Sequence, residues 1–461
     1  MKYAADLSLD NVGKAHFIGI GGIGMSGIAR LMLGLGYRVA GSDARDSEIT
    51  RALAREGAEI HIGHSPRALR SPDAVVVSSA IKADNPELRE AFRLGVPVVQ
   101  RALMLSKLAE LKKTVTVAGT HGKTTTTAMT AAALEAAGAD ATAVVGGIVK
   151  GAGSNLKLGR SEYLVAEADE SDGSFLYFSP LVTCVTNIDS DHLDHYGTMD
   201  NLKAAFRAHL AKVPFYGMAA LCSDDPVIRE LLPGLRTPHL TCGLAGKPDW
   251  LARDAKFGTA GASYTAYYKG KRQGRVRLRV GGAHNVRNSL LALAAGRYLG
   301  FDFGRLAEGL WNFSGVKRRM DRLGSADGVD FVDDYGHHPT EVRATLEAAR
   351  GLFPGRRLVV LFQPHRYSRT ALLYREFGRA FGDADRVWVA PVYAASEKPL
   401  PGVNSGLILK QLLKNGARAA EFPGALELMK ELKPGDVFLT LGAGDVWKLG
   451  EEIKLKMETL T

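Results

Sequence analysis

The chain has 461 residues, of which 46% are hydrophobic and 23% charged, and a formal net charge of +10. That balance is ordinary for a globular protein, and at roughly 150 residues per domain the length suggests about three domains. The positive surplus favours anionic partners such as nucleotides and phosphorylated metabolites, but no long Lys/Arg run is present, so no nucleic acid is expected as a partner. The opening MKYAADLSLD has no apolar signal segment and no apolar run is long enough to span a bilayer. Membrane insertion is therefore not expected, and a cytoplasmic location is.

In the first third, HFIGI, YRVAGSD, AVVVSSA and VPVVQ alternate with helical patterns, as in a parallel α/β sheet. After HFIGI, the stretch GIGGIGMSG satisfies GxGxxG twice, as Gly19-Gly21-Gly24 and as Gly22-Gly24-Gly27. Glycines there permit a tight turn and close backbone approach to a pyrophosphate, which the following helix N-terminus attracts. Asp43 closes the next strand, where an acid usually meets a ribose. The pattern leaves open whether the diphosphate belongs to NAD, FAD or a UDP-sugar.

The second third opens with TVTVAG and continues with ATAVVGG, YLVAEADE and LVTCVTNI, the pattern of a second α/β sheet. Gly119-Thr120-His121-Gly122-Lys123-Thr124 matches the end of a Walker A loop, with Val117 in place of its first glycine and Thr125 after it. Lys123 would reach the β- and γ-phosphates of ATP, and Thr124 would place its hydroxyl on Mg²⁺. Mg²⁺ needs further oxygens. YLVAEADESDGSF ends in the acids Glu167, Asp169, Glu170 and Asp172, and NIDSDHLDHYG adds Asp191, His192, Asp194 and His195. Cys184, Cys222 and Cys242 form no CxxC pair, which argues against a disulfide framework or a zinc site. From about Asp249 to Val280 the polar, alternating residues predict antiparallel strands.

The last part carries VDFVDDY, RRLVVLFQP, DRVWVAPVY and DVFLTLGAG, each followed by a helical pattern. The expected architecture is α/β throughout, in three domains spanning residues 1–107, 108–315 and 316–461: a Rossmann-like domain, a P-loop ATPase-type domain and a second Rossmann-like domain.

Ten stretches, read together, resemble the Mur ligase family, the ATP-dependent amino-acid ligases of peptidoglycan precursor synthesis. They are GIGGIGMSGIA, VVVSSAI, AGTHGKTTTT, EADESDGSF, TNIDSDHLDHYG, GGAHNVRNSLLAL, FSGVKRRM, VDDYGHHPTE, FQPHRYSRT and GAGDVW. The resemblance covers nearly the whole chain. It implies three substrates, UDP-N-acetylmuramate, ATP and L-alanine, with Mg²⁺ as cofactor, and it explains why one chain carries two glycine loops. It leaves the oligomeric state open.

The resemblance implies that Gly21, Gly22, Ile23, Gly24 and Asp43, with Ser78, Ser79 and Arg101, hold the UDP-sugar. Gly119 to Thr125 hold ATP, whose adenine end meets His284, Asn285 and Asn288 and whose ribose meets Asp334. Thr124, Glu167 and His192 ligate magnesium, with Glu170 as the competitor for the role of Glu167. Arg318 and Arg319 meet the γ-phosphate. Lys123, Glu167, His192 and Arg319 are the expected catalytic set. Tyr335, His337, His365, Arg366 and Arg369 form the amino-acid pocket, where an arginine fork suits a carboxylate. Asn285 can equally be a helix cap.

Overall fold

The computed structural model describes residues 3–78, 80–151 and 155–460. They form two compact units, Met1–Leu251 with Ser289–Gly309 and Ala252–Asn288 with Leu310–Thr461.

The first unit holds two sheets. Strands β1 (Lys14–Ile18), β2 (Arg38–Asp43), β3 (Glu59–Ile62), β4 (Ala74–Val77) and β5 (Val98–Gln100) alternate with helices α1 (Ile23–Gly34), α2 (Glu48–Arg55), α3 (Pro86–Leu94) and α4 (Arg101–Glu110). The sheet order is β3-β2-β1-β4-β5, all parallel. The order reverses between β1 and β4, and in such sheets the crevice at that switch, beyond the carboxyl ends of the strands, takes the ligand. β1 and β4 are buried along their whole length, as central parallel strands require. The expected domain break after residue 107 falls inside α4, whose Leu103, Met104 and Leu108 are buried.

The second sheet follows with β6 (Lys113–Ala118), α5 (Lys123–Ala136), β7 (Thr142–Val144), β8 (Leu156–Lys157), β9 (Tyr163–Glu167), β10 (Val182–Val185), α6 (Leu193–Tyr196), α7 (Met199–Leu210), β11 (Met218–Cys222), α8 (Pro226–Leu231), β12 (His239–Gly243) and the start of β13 (Trp250–Gly258). Its order here is β12-β11-β10-β6-β9-β7-β8. Only β8, paired with β7, runs antiparallel among these neighbours. Because β6 sits between β9 and β10, the loops after all three strands converge on one edge.

The second unit contains the antiparallel hairpin of β14 (Gly261–Tyr268) and β15 (Lys271–Leu278), expected from its alternating residues. Helices α9 (Ala283–Tyr298) and α10 (Phe303–Asn312) each cross the division between the units. Then come β16 (Asp321–Ala326), β17 (Val329–Asp334), α11 (Pro339–Leu352), β18 (Leu358–Phe362), α12 (Tyr367–Phe377), β19 (Arg386–Val389), α13 (Gly406–Lys414), β20 (Ala419–Glu421), α14 (Ala425–Glu431), β21 (Val437–Leu441) and α15 (Val446–Leu460). The sheet order is β16-β17-β21-β18-β19-β20, with only β16 antiparallel to its neighbour. Alternate residues feed two cores. Val332, Val360 and Leu439 pack with α11 and α12, and Phe331, Val359 and Phe438 with α14 and α15.

Among the described residues no helix is long and apolar enough to cross a membrane. The three cysteines are buried, and none of them is in a disulfide.

Candidate active site

The first cradle lies between β1 and α1. Gly19 adopts φ +78°, a left-handed turn that glycine makes without strain. The amides of Gly19 and Ile20 donate to the Ser42 carbonyl at 2.8 and 2.9 Å, which ties the loop to the end of β2. Asp43 accepts from the Gly21 amide at 2.8 Å, and a Cβ on Gly21 would lie 2.9 Å from its Oδ2. A Cβ on Gly24 would come within 2.3 Å of Arg101 Nη1, so the exposed Arg101 crosses the first turn of α1. The structure thus brings Gly21, Gly22, Ile23, Gly24, Asp43 and Arg101 together, with a guanidinium beside a helix N-terminus that carries no side-chain cap. Ser78 follows β4, the strand across the switch point. Ser79 lies outside the described residues.

The second cradle links β6 to α5. Gly119 has φ +125°, and a Cβ there would lie 2.2 Å from Thr186 Oγ1, so any other residue is excluded twice over. Gly122 has φ +82° and precedes the helix. The amide of His121 donates to Asn187 Oδ1 at 2.9 Å, its ring lies 3.0 Å from Asp189, and the Asp189 amide donates to Thr120 Oγ1 at 2.9 Å. Thr125 is half-buried and is the third residue of the helix.

Lys123 folds back over this loop. Its Nζ donates to the Gly119 and Thr120 carbonyls at 2.8 and 3.2 Å and to Glu170 Oε2 and Oε1 at 2.7 and 2.9 Å. Burial works against its charge, but Glu170, Asp169 and Glu167 outweigh it and raise the ammonium above its usual range. Glu170 is fully buried; burial raises its carboxyl, and the charge on Asp169 adds to this against the attraction of Lys123. Glu167, at the end of β9, instead accepts from Thr124 Oγ1 at 2.9 Å and from the Gly146 amide at 2.8 Å. His192, at φ +58°, lies 3.7 Å from Glu170 Oε1. The acids thus divide into two seats, Glu167 with Thr124 and Glu170 with Lys123 and His192. The buried Glu170 and the half-exposed Asp169 lie 2.7 and 3.8 Å from one lysine, with Glu167 in the neighbouring seat. That excess of hard oxygen donors fits a divalent cation such as Mg²⁺. Lys203 pairs with Glu230 at 2.6 Å and Lys212 donates to the Leu176 carbonyl, so neither is turned to these acids.

In the second unit, Arg318 and Arg319 flank Tyr335, their guanidiniums 4.9 and 5.0 Å from its ring centre. Arg318 also donates to Asp333 at 3.1 Å, and burial pushes that carboxyl up to about 6 despite the guanidinium. Arg319 lies 3.6 Å from Glu341. The rings of Tyr335 and His337 meet edge-on, as do those of His337 and His365. His365 stacks on Tyr393 with centroids 5.6 Å apart. Burial, together with Arg369 and Arg366, lowers His365 to about 4. Arg369 reaches His365 Nδ1 at 3.4 Å, and Arg366 takes φ +67° to start α12. The five residues expected for the amino-acid pocket therefore cluster. Tyr393, in the loop after β19, lies against this cluster through His365 and was missed, because nothing in its sequence context marks it.

Three expected ATP contacts are turned inward. Asp334 is 5% exposed. Its Oδ1 accepts from the Gly336 amide at 2.8 Å and Thr345 at 3.1 Å, and its Oδ2 from the Met320 amide at 2.8 Å. Asn285 donates to the Gly281 carbonyl at 2.7 Å, a bond within the turn that opens α9, and accepts from Asn288 at 3.3 Å. His284 is half-buried beside Gly282, and desolvation, with Arg287 and Arg319, lowers it to about 4.

Comparison with known proteins decides the family. Residues 14–113 match the description "Mur ligase family, catalytic domain", residues 117–296 "Mur ligase middle domain", and residues 318–444 "Mur ligase, glutamate ligase domain". The chain belongs to the Mur ligase family. Its three-domain α/β architecture is the one this family uses, and Mur ligases are ATP-dependent. A UDP-N-acetylmuramate–L-alanine ligase of Endomicrobium trichonymphae is 50% identical over 95% of this chain and 97% of its own length. One from Geobacter sulfurreducens is 46% identical over 96% and 98%. The crystal structure of UDP-N-acetylmuramate-alanine ligase MurC from Thermotoga maritima superposes with a TM-score of 0.80 at 31% identity, covering 97% of this chain and all of that one. A MurF ligase from the same organism, solved in complex with ADP, shares the fold at a TM-score of 0.62 and 19% identity over 92% and 96% of the two chains.

Proposed function

We infer that this Mur ligase joins L-alanine to the lactyl carboxylate of UDP-N-acetylmuramate at the expense of ATP, giving UDP-N-acetylmuramoyl-L-alanine, ADP and phosphate for peptidoglycan synthesis. The observation that carries this reading is near-full-length similarity to ligases of that activity. On it, residues 1–107 hold the UDP-sugar, 108–315 ATP and 316–461 L-alanine. The cytoplasm, where ATP is supplied, is the place of the reaction, and three buried cysteines outside any disulfide suit it.

A carboxylate resists attack by an amine, so it must first be activated. The γ-phosphoryl group of ATP passes to the lactyl carboxylate, giving an acyl phosphate and ADP. The neutral amine of alanine then adds to the carbonyl carbon, and the tetrahedral intermediate expels phosphate. Anionic groups meet in both steps, so the main contribution expected of the protein is electrostatic.

Lys123 leaves Glu170 for the β- and γ-phosphates as ATP enters, and the amides of Gly119 to Thr125 cradle them. Thr124, Glu167, Glu170 and His192 would hold Mg²⁺. The ion, when bound, neutralises charge on the phosphates and on these acids. Arg319 offers a permanent cation to the transferring group. Arg366 and Arg369 hold alanine's carboxylate while Tyr335, His337, His365 and Tyr393 wall its small side chain.

Phosphate release is the test. It should require ATP, UDP-N-acetylmuramate and L-alanine together. Release from ATP alone at a comparable rate would reject the ligase reading, and glycine or serine in place of alanine would report the pocket's selectivity.

A further inference from the structure

The positive charge of the chain is not spread evenly. Between Arg253 and Arg279 stand eight lysines and arginines against one acid, Asp254, a surplus of seven out of the chain's net +10. They run from β13 through the hairpin of β14 and β15, and all eight cations are exposed. Among the described residues none of the eight forms an ion pair.

Strand alternation sets where they point. On β15, Val276 and Leu278 are buried, so Arg275, Arg277 and Arg279 share the outer face, about 7 Å apart along the strand. Across β14, Thr265 and Ser263 lie in register with Arg275 and Arg277, and Arg275 donates to Ser263 Oγ at 3.3 Å. Tyr267 continues that face, with the Arg253 guanidinium from β13 5.1 Å from its ring centre. Arg277 and Arg279 lie over the ring of Trp311, on α10, at 4.8 and 5.0 Å, and Lys269, in the hairpin turn, over Tyr268 at 5.6 Å. Each of these contacts holds a cation beside an aromatic ring.

Charges on an edge strand deter pairing with other chains, and β15 is an edge. That role does not account for Arg253, two strands in, or for Lys269 in the turn. A surface that concentrates most of the net charge, unpaired and interleaved with rings, is complementary to an extended polyanion.

We propose that this face docks on the anionic lipid surface of a membrane, without entering it. A leaflet of acidic headgroups is broad and continuous, which matches cations spread over three neighbouring strands. Tyrosine and tryptophan rings sit at headgroup depth in such surfaces. Nucleic acid is the other extended polyanion. It binds such a surface by stacking its bases on open rings, and here cations already lie over the rings of Tyr267, Tyr268 and Trp311. The docking does not depend on the ligase reading.

Vesicle flotation tests it. The full chain should bind vesicles of phosphatidylglycerol mixed with phosphatidylcholine, and not vesicles of phosphatidylcholine alone. Added salt should release it, because exposed charges are screened beyond about 8 Å at physiological ionic strength. Each Lys or Arg held at an anionic surface is worth about fivefold in binding, so the triple variant Arg275→Gln, Arg277→Gln, Arg279→Gln should bind about 100-fold more weakly. A second triple variant, Lys410→Gln, Lys414→Gln, Arg418→Gln, removes the same charge at exposed residues in and after α13 and should bind as the wild type does. Both variants should keep the wild-type circular dichroism and turnover, since none of the six residues is placed at a substrate. Equal binding to the two kinds of vesicle, binding to neither, or equal losses in the two triple variants would each overturn the proposal. Binding of single-stranded polyuridylic acid that is lost with the three arginines, while vesicles are ignored, would overturn it in favour of nucleic acid. The wild type on the two vesicle compositions decides even if a variant does not fold.

Discussion

Replacing Lys123 by alanine should damage the protein in two separable ways. The ammonium is the counter-charge of Glu170, a fully buried carboxylate 2.7 Å away. Removing one partner of a buried pair costs about 3–5 kcal/mol when the other stays charged. Glu170 has an escape, because burial and Asp169 already raise its pKa and it can take up a proton. At pH 7 holding that proton costs about 1.4 kcal/mol for each pH unit above the ordinary value of 4.5, so a loss of about 3 kcal/mol is expected. At about 2–4 °C per kcal/mol for a domain of this size, the melting temperature should fall by about 6–12 °C. The folded variant binds a proton at Glu170 that the unfolded chain releases above its ordinary range near 4.5. The destabilisation should therefore grow as pH rises from that range and shrink in acid. Adding Glu170→Gln removes the stranded charge and should recover most of the stability. Phosphate release, by contrast, should be absent from both variants, since neither has a cation for the β- and γ-phosphates. Urea unfolding across pH, beside the three-substrate phosphate assay, reads both effects. Substantial turnover by Lys123→Ala would reject the catalytic assignment, and a double variant no more stable than the single one would reject the burial argument.

Other perturbations follow from equally local geometry. Gly119→Ala puts a Cβ 2.2 Å from Thr186 Oγ1 at φ +125°, so thermal unfolding should show a loss of about 1–3 kcal/mol or more, with ATP binding weakened; unchanged melting and affinity would contradict the close approach. His209 is fully buried between the Phe175 carbonyl and Thr183, and burial lowers it to about 4. The unfolded chain takes up that proton near 6.5, so stability is complete above this value and falls by about 3 kcal/mol as pH drops toward 4. A His209→Gln variant with the same acid slope as the wild type would refute it. Arg369→Ala should raise the KM for L-alanine about 10- to 100-fold at saturating ATP, as expected for losing a charge-assisted hydrogen bond; an unchanged KM would remove Arg369 from the pocket.

Much of the fold was legible because parallel strands announce themselves. HFIGI, AVVVSSA, RRLVVLFQP and DVFLTLGAG are apolar runs bounded by turns, and they became β1, β4, β18 and β21. EIHI was not legible: β3 is an edge strand, exposed or half-buried along its length, with neither a continuous apolar run nor a clean alternation. MAALC became the fully buried β11, but so short an apolar run does not distinguish strand from helix.

For the sites, the chain by itself determined the two glycine loops, the acid-rich strand end and the arginine-rich third domain. These depend on local stereochemistry, such as positive φ at Gly19, Gly119 and Gly122, and on residue types that nothing else supplies. Tertiary structure alone decided which acid does what. Glu167 and Glu170 are three residues apart and chemically alike. The turn after β9 sends Glu170 inward to Lys123, 47 residues away in sequence, and leaves Glu167 with Thr124 and Gly146. It likewise committed Asp334 to three internal donors and bound Glu87 to His16, Ser42 and His64. A buried polar atom takes whichever partner the fold brings within 3 Å, and that choice is written in the packing of distant segments rather than in any one of them.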